Sequence, residues 1–315
     1  MHNNQEMLSR LGELLAIESV AGVNCSETAP YGAGPAAALD HMLKLCASLG
    51  FRVKNCDNQL GWAEIGEGDE MVGILCHLDV VPAGEGWNYA PYAMTLTENG
   101  RAYGRGVTDD KGPAMCCVYA MKDIPLKRRI RIIFGLCEET GDWEDMAYYA
   151  EHEELPVFGI TPDADFPAIY GEKGILTAEL RMPLKNSGLL TAAGGTAANV
   201  VPSLCSVTYA GTDGRPVTVQ AKGKPAHGST PEDGVNAISA VMEKLAAMPE
   251  LKSAFVDFYQ TYIGWDYHGV KMGCGLEDGK SGKLTLNAGV LTVDGEDLLL
   301  KLNIRNPVTF TTEDA

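Results

Sequence analysis

The sequence has 315 residues, of which 45% are hydrophobic and 21% are charged, as in an ordinary globular protein. Single hydrophobic cores stop growing at about 250 to 300 residues, so this length predicts two domains. The formal net charge of -17 argues against nucleic acid or an anionic membrane as the main partner, because both bind basic surfaces. No apolar run approaches the roughly 20 residues that cross a bilayer, which argues against a membrane protein.

The start of the chain and its cysteines both favour the cytoplasm. Residues 1–20 contain neither a basic segment nor a long apolar run, so no secretory signal is predicted. The nine cysteines are odd in number and include no CxxC pair, which argues against a disulfide framework and a cysteine metal site. We expect buried, reduced thiols at the positions that lie in apolar runs: Cys46, Cys76, Cys116, Cys117 and Cys137.

Helical and strand-like segments alternate through the first part of the chain. Helices are predicted over 5–17, 35–49, 112–121 and 143–152, and strands over 71–76, 130–136 and 157–161. This alternation predicts an α/β fold in which a mainly parallel sheet carries helices on both faces. Ligand sites of such sheets lie beyond the carboxyl ends of the strands.

The second part of the chain differs in composition. From about Thr177 it is rich in Gly and Thr, with strand-like segments around one helix predicted over 235–248. We therefore predict two domains, 1–176 and 177–315. After a last predicted strand, the Thr and acidic residues of 311–315 are typical of a helix start. That helix has no room to continue, so we expect the sequence to be part of a longer protein.

A histidine and two acidic pairs stand beside these elements. His77 and Asp79 close the first predicted strand and face the same side of it, so the Asp can orient the His. On its own this pattern is more typical of a structural His with a nearby Asp. Asp109 and Asp110 lie in a Gly-flanked turn before a helix, where they either bind a cation or cap that helix.

Two further strand ends carry acidic residues. Glu138 and Glu139 follow the second strand, and adjacent carboxylates there repel unless a cation or a proton neutralises them. Asp163 follows the third strand, with Asp165 as an alternative. Together, these strand and turn ends predict a cage of imidazole and carboxylate ligands, which suits zinc, manganese or cobalt.

Five segments resemble the M20 family of metallopeptidases, most closely its PepV-like dipeptidases and more distantly its carnosinases. They occur in the family's order, and the resemblance extends over residues of about 8 to 310. The segments are HLDVVPAGEGW (77–87), YGRGVTDDKGP (103–113), EETG (138–141), PDADFP (162–167) and GKPAHGSTPEDGVNAI (223–238).

The resemblance implies a site for two metal ions. By position, His77, Asp109 and Asp163 would hold the first ion, and Asp109 would bridge to a second ion held also by Glu139. Zinc is the implied metal, two ions per active site, with manganese or cobalt as alternatives. The implied reaction is hydrolysis of the peptide bond of small dipeptides by a hydroxide bound between the two metals.

The resemblance also implies how the residues beside the ligands act. Glu138 would be the general base and Asp79 the partner that orients His77. Asp110 follows the bridging residue, and the peptide bond between those two residues is commonly cis in the family. An Asp at position 163 resembles the dipeptidase members rather than the carboxypeptidase-like ones. This favours a dipeptide substrate with a free amino terminus.

By the same resemblance, residues 1–176 would form the catalytic domain and 177–315 an inserted α+β lid. His227 would stabilise the oxyanion of the tetrahedral intermediate, with a surface loop His as the less favoured alternative. Asn199 and Arg305 would contact the substrate, the Arg being suited to a peptide carboxylate. Arg305 could equally pair with a surface acid. The protein is expected to be a cytoplasmic monomer or a homodimer formed through the lid.

The resemblance implies that one ligand of the second metal is missing. Family members continue past the point that corresponds to residue 315 and supply a further His there. The remaining histidines, His2, His41, His152 and His268, do not match that ligand and are expected to be structural or surface residues. Two alternatives therefore stay open, namely an N-acyl amino acid deacylase of the same family and an inactive metal-binding fragment.

Overall fold

The computed structural model describes residues 2–84, 86–164 and 167–315. The chain divides into two compact units, Met1–Ala168 and Ile169–Ala315. The predicted boundary at Thr177 falls inside the first strand of the second unit, because the change in composition on which it was based begins within that strand.

The first unit contains a five-stranded sheet in the order β1-β2-β6-β3-β7. Strands β6, β3 and β7 run parallel, whereas β1 and β2 join the edge antiparallel. The described elements are α1 (His2–Leu15), α2 (Ala33–Ser48), β1 (Arg52–Cys56), β2 (Leu60–Ile65), β3 (Met71–His77), β4 (Thr95–Leu96), β5 (Ala102–Tyr103), α3 (Lys111–Met121), β6 (Arg129–Gly135), α4 (Glu144–His152) and β7 (Phe158–Ile160).

Successive side chains of β6 fill two separate cores, because neighbours on a strand point to opposite faces. Ile132 and Phe134 pack with residues of α1, α2 and α3 on one face. Ile133 packs with Tyr149 of α4 on the other face. Helices therefore cover both faces of the sheet, and the predicted α/β architecture is confirmed.

The second unit is built on a six-stranded antiparallel sheet in the order β11-β10-β9-β14-β15-β8. Buried side chains of α6 and α7 pack with this sheet in one hydrophobic core. The described elements are β8 (Gly174–Pro183), α5 (Leu184–Ser187), β9 (Thr191–Gly194), β10 (Leu204–Ala210), β11 (Pro216–Lys222), α6 (Ala237–Ala246), α7 (Ala254–Tyr262), β12 (Glu277–Asp278), β13 (Gly282–Lys283), β14 (Thr285–Asp294) and β15 (Asp297–Asn306).

Two local predictions are wrong. Cys116 is exposed and Cys117 only half-buried, because α3 packs inwards through residues such as Met115 and Val118 and turns residue 116 outwards. Residues 311–315 form a turn instead of a helix start. There, the Asp314 carboxylate accepts hydrogen bonds from the backbone N–H of Thr311 at 2.8 Å and from its hydroxyl at 3.0 Å. The nine cysteines are free thiols, as expected.

A buried ion pair joins β2 to β6. Glu64 lies opposite Arg131 in the strand register, and its Oε2 accepts a hydrogen bond from Arg131 Nε at 2.9 Å. Arg52 donates to the other carboxylate oxygen at 2.9 Å, and the Arg131 guanidinium lies 4.1 Å from the ring centroid of Trp62. Burial alone would raise the pKa of Glu64, but the hydrogen bonds from Arg52 and Arg131 outweigh it and lower the pKa.

Replacing Glu64 with Gln is expected to lower the free energy of unfolding at pH 7 by roughly 1–3 kcal/mol, because a buried guanidinium loses its charged partner. Folding lowers the pKa of Glu64, so the ionised group stabilises the protein above its unfolded-state pKa. This contribution is lost as the pH falls through the folded-state pKa. Urea unfolding should therefore show a smaller difference between the two proteins at about pH 3 than at pH 7.

Glu67→Gln provides the matched control. Glu67 also pairs with Arg52, but its side chain is 90% exposed. Exposed ion pairs contribute little to stability, so this variant should unfold almost as the parent does. Equal losses in the two variants would contradict a special role for the buried pair.

Candidate metal centre

The acidic cluster lies at the carboxyl ends of three parallel strands. β3 ends at His77, a short 3-10 turn over Glu138–Thr140 follows β6, and Asp163 follows β7. Because parallel strands end at the same edge of a sheet, these side chains converge. Asp109 joins them from the turn before α3.

Three carboxylates of this cluster lie around one imidazole nitrogen. Nε2 of His77 lies 2.8 Å from Asp109 Oδ1 and 3.4 Å from Asp163 Oδ2. Glu138 Oε2 lies 3.9 Å from the same nitrogen. His77 itself is almost fully buried, whereas the side chains of the three acids remain 28 to 57% exposed.

The other ring nitrogen fixes the orientation of His77. Nδ1 lies 3.0 Å from the carbonyl oxygen of Asp79 and 3.4 Å from its carboxylate. A carbonyl oxygen only accepts, so Nδ1 carries the hydrogen in this contact and Nε2 faces the carboxylates. The side chain of Asp79 was expected to orient His77, but the shorter of the two contacts is made by the backbone carbonyl of Asp79.

The carboxylate of Asp79 instead holds the turn that carries the two glutamates. It is fully buried and accepts hydrogen bonds from the backbone N–H of Glu138 at 3.3 Å and of Glu139 at 3.0 Å. Asp79 therefore connects the end of β3 to the turn after β6. One buried carboxylate thus positions both glutamates of the site.

The backbone of His77 is held by Asp110, whose Oδ2 accepts the His77 N–H at 3.0 Å. The peptide bond between Asp109 and Asp110 is cis, as the family resemblance implies. Burial raises the pKa of Asp110 to about 7. Its Oδ1 atom has no hydrogen-bond partner among the described residues.

Two buried residues that support the site escaped the sequence analysis. Asp145 accepts hydrogen bonds from the backbone N–H of Leu136 at 2.7 Å and of Cys137 at 3.3 Å, which fixes the chain just before Glu138. An acid in the first turn of a helix is usually an exposed complement to the helix dipole, so the only hint was that α4 directly follows the two glutamates.

Lys111 is the second of these residues. It is a buried cation that directly follows Asp110 in the chain. Its Nζ donates hydrogen bonds to the carbonyl oxygens of Leu14 at 3.2 Å and Ile17 at 2.8 Å. Burial lowers its pKa to about 8. These contacts tie the end of α1 to the start of α3.

Excess negative charge dominates the electrostatics of the cluster. Burial raises the pKa of Glu139 to about 7, and the charge of Asp109 acts in the same direction. Burial also raises the pKa of Glu138, although His77 opposes it. Burial alone would lower the pKa of His77, but hydrogen bonds with Asp109 and Asp163 raise it well above the usual range. A cation would relieve the same repulsion.

The donor atoms fit divalent cations. Two trios of ligand atoms, each within 4.8 Å of one another, are His77, Glu138 and Asp163, and His77, Asp109 and Glu139. Imidazole and carboxylate donors are typical ligands of zinc, manganese and cobalt. The family resemblance implies Asp109 as the third ligand beside His77 and Asp163. In the first trio, Glu138 takes that place. Asp165, the alternative to Asp163, lies outside the described residues.

In the second unit, the structure brings His227, Arg305 and Asn199 close together. His227 Nδ1 lies 2.6 Å from Ser229 Oγ, and its Nε2 lies 3.4 Å from an Arg305 nitrogen. A guanidinium only donates, so Nε2 accepts in this contact and Nδ1 carries the hydrogen. Burial lowers the pKa of His227. The N–H of Gly228 donates to the carbonyl oxygen of Asn199 at 2.7 Å.

A buried pair of amides holds the segment around Asn199. Asn287 Nδ2 donates to the carbonyl oxygens on both sides of that residue, at 2.8 Å to Ala198 and 2.9 Å to Val200. Asn236 donates to Asn287 Oδ1 at 3.2 Å, and its own Oδ1 caps the start of α6. The conformation of residues 198–200 is therefore fixed from within the second unit.

The other histidines and Arg305 make local contacts. His41, His152 and His268 lie outside both ligand trios, while the side chain of His2 is not among the described parts. The ring of His152 contacts a backbone carbonyl oxygen at 2.9 Å, and the ring of His268 contacts another at 3.0 Å. Across the described residues, Arg305 makes no ion pair with an acid; its hydrogen bonds go to Asn303 and His227.

Comparisons with known proteins identify related chains. A model of Peptidase family M20/M25/M40 matches residues 73–261. The chain is 34% identical to "Putative dipeptidase YtjP" of Bacillus subtilis (strain 168), over 98% of this chain and 75% of that protein. It is also 34% identical to "Putative dipeptidase SAB1611c" of Staphylococcus aureus (strain bovine RF122 / ET3-1), over 98% of this chain and 74% of that protein.

Among solved structures, the M20 family metallo-carboxypeptidase Sso-CP2 from Sulfolobus solfataricus is similar in fold. Its TM-score is 0.53 at 17% identity, with 96% of this chain and 71% of that chain covered. Among the helices described here, none combines the length and apolar character needed to cross a bilayer. The cytoplasmic location and the monomeric or dimeric state stay predictions.

Asp79→Asn is expected to weaken Zn²⁺ binding about 10- to 100-fold, because an amide offers one acceptor oxygen where two backbone N–H groups need one each. Competition with a chromophoric chelator measures the affinity, and circular dichroism checks the fold. Asp142→Asn, which changes an exposed acid in the same loop, is the control and should bind Zn²⁺ as the parent does. Unchanged affinity in Asp79→Asn would refute the positioning role.

Proposed function

The chain belongs to peptidase family M20/M25/M40, and we propose that it hydrolyses the peptide bond of small dipeptides with two divalent cations, zinc foremost, in the acidic cluster. The observation that carries this proposal is the convergence of three carboxylates on His77 Nε2 at 2.8 to 3.9 Å. The relatives named as dipeptidases support the substrate class.

The ligand roles follow from the family resemblance. By it, His77, Asp109 and Asp163 would hold the first cation, and Asp109 and Glu139 would hold the second. When bound, the cations would polarise the peptide carbonyl and make a water molecule more acidic. Because a ligand carboxylate must be ionised, a bound cation would oppose the burial that raises the pKa of Glu139.

Glu138 is the proposed general base. Its carboxylate is partly exposed and lies farther from His77 Nε2 than those of Asp109 and Asp163, which leaves it freer to exchange protons. Its pKa is raised by burial, which brings it closer to neutral pH. It takes a proton from the attacking water and returns it to the leaving amine.

The second unit would contribute the groups that recognise the substrate. The guanidinium of Arg305, which no described acid neutralises, suits the carboxylate of a dipeptide. Asn199 adds an amide contact from a fixed backbone. His227 would stabilise the developing oxyanion. For this its Nε2 must become a donor, which requires a proton on that atom and the loss of its contact with Arg305.

Glu138→Gln tests the base. Loss of a general base typically lowers kcat about 100- to 10,000-fold, and the same fall is expected here for dipeptide hydrolysis. Metal content, measured by atomic emission on the purified variant, should remain at the level of the parent. Glu151→Gln, an exposed change on α4, is the control and should keep full activity. Loss of a bound ion from Glu138→Gln would assign this residue as a ligand instead.

A substrate comparison tests the proposed function itself. The parent chain, loaded with zinc or manganese, should hydrolyse free dipeptides faster than N-acetyl amino acids. The opposite preference would favour the deacylase. A stoichiometry of one ion or none per chain, without turnover of either substrate, would favour the non-catalytic fragment.

A further inference from the structure

Trp143 combines a strained backbone with an exposed ring. Its φ is 54° and its ψ is 23°, a left-handed conformation that costs free energy for any residue other than glycine. The side chain is 46% exposed although tryptophan is among the largest apolar side chains. A residue that is unfavourable in both respects needs a reason other than the stability of the fold.

Local structure supplies no such reason. Trp143 precedes α4 at its N-cap position, but its side chain makes no capping hydrogen bond. Within the described chain its ring belongs to neither hydrophobic cluster of the first unit. The indole N–H groups of Trp62 and Trp87 each have an acceptor, at 3.0 Å and 2.7 Å. For Trp143, no acceptor is found among the described residues.

The position of the ring relates it to the acidic cluster. Trp143 lines one pocket together with His77, Glu138 and Asp163, and Thr161 borders the same pocket. A scissile carbonyl that reaches these ligands carries its own side chain one carbon away. That side chain and the free amino group share this carbon, and the side chain is the one of the two that can pack on an indole face.

We infer that Trp143 is a specificity-determining residue, which packs against the side chain of the amino acid that carries the scissile carbonyl and favours large apolar or aromatic groups there. This inference rests on the proposed dipeptidase function. A tryptophan face buries a large apolar area at small entropic cost, because the ring has only two side-chain torsions.

Trp143→Gly separates function from folding, because glycine relieves the strained backbone while it removes the ring. The melting temperature should stay level or rise. With Phe-Ala as substrate, kcat/KM should fall about 10-fold or more, mainly through KM. With Gly-Ala, which offers no side chain to the indole, kcat/KM should stay within about 2-fold of the parent. Trp143→Phe should recover most of the activity on Phe-Ala.

Asn24→Gly is the matched control, since Asn24 is also left-handed, with φ 56°, but lies in another loop. It should leave both substrates unaffected. Equal losses on Phe-Ala and Gly-Ala, or a lower melting temperature in Trp143→Gly, would overturn the specificity role while the dipeptidase function stands. A parent enzyme that cleaves neither dipeptide would overturn both.

Discussion

Carboxylates gathered around one buried imidazole repel each other, and the first unit is organised to hold them together despite that repulsion. The parallel strands deliver His77 and the glutamate turn to one edge of the sheet. Behind them, Asp79 and Asp145 accept backbone N–H groups, and Glu139, which faces the cluster, accepts one more from Val81 at 3.2 Å. Rigid backbone positions therefore keep like charges at close range, where a divalent cation would neutralise them.

The second unit fixes its polar residues by a different means. Neutral amides form its buried network, in which Asn236 and Asn287 carry the conformation of residues 198–200. The imidazole of His227 and the guanidinium of Arg305 stay at least partly exposed. Neutral amides can be buried at lower cost than charges when all their hydrogen bonds are made. The buried support of the second unit is therefore neutral, and its guanidinium at Arg305 stays near the surface.

The sequence predicted the convergence of Glu138, Glu139 and Asp163 because these acids follow apolar segments that read as strands, whereas Asp109 stood out only as an acid in a Gly-flanked turn before a helix. It did not predict the antiparallel β1 and β2, since the polar residues of Arg52–Cys56 lack the apolar pattern of a buried strand. Asp145, Asn287 and Lys111 were missed for a related reason. The partners of Asn287 and Lys111 lie far along the chain, and those of Asp145, although near in sequence, are backbone groups that only the folded turn brings to it. The left-handed backbone of Trp143 is likewise a property of tertiary structure.

Lys111 has a consequence for how the site assembles. Its ammonium ends in contact with carbonyl oxygens of Leu14 and Ile17, a separation of 97 residues in the first case. The start of α3, and with it the turn that presents Asp109, is therefore completed only when α1 docks. Contacts of such long range form late in folding, because a long loop must close first. During synthesis, the chain would therefore acquire its full ligand set only after α1 has packed against α3, which is made much later.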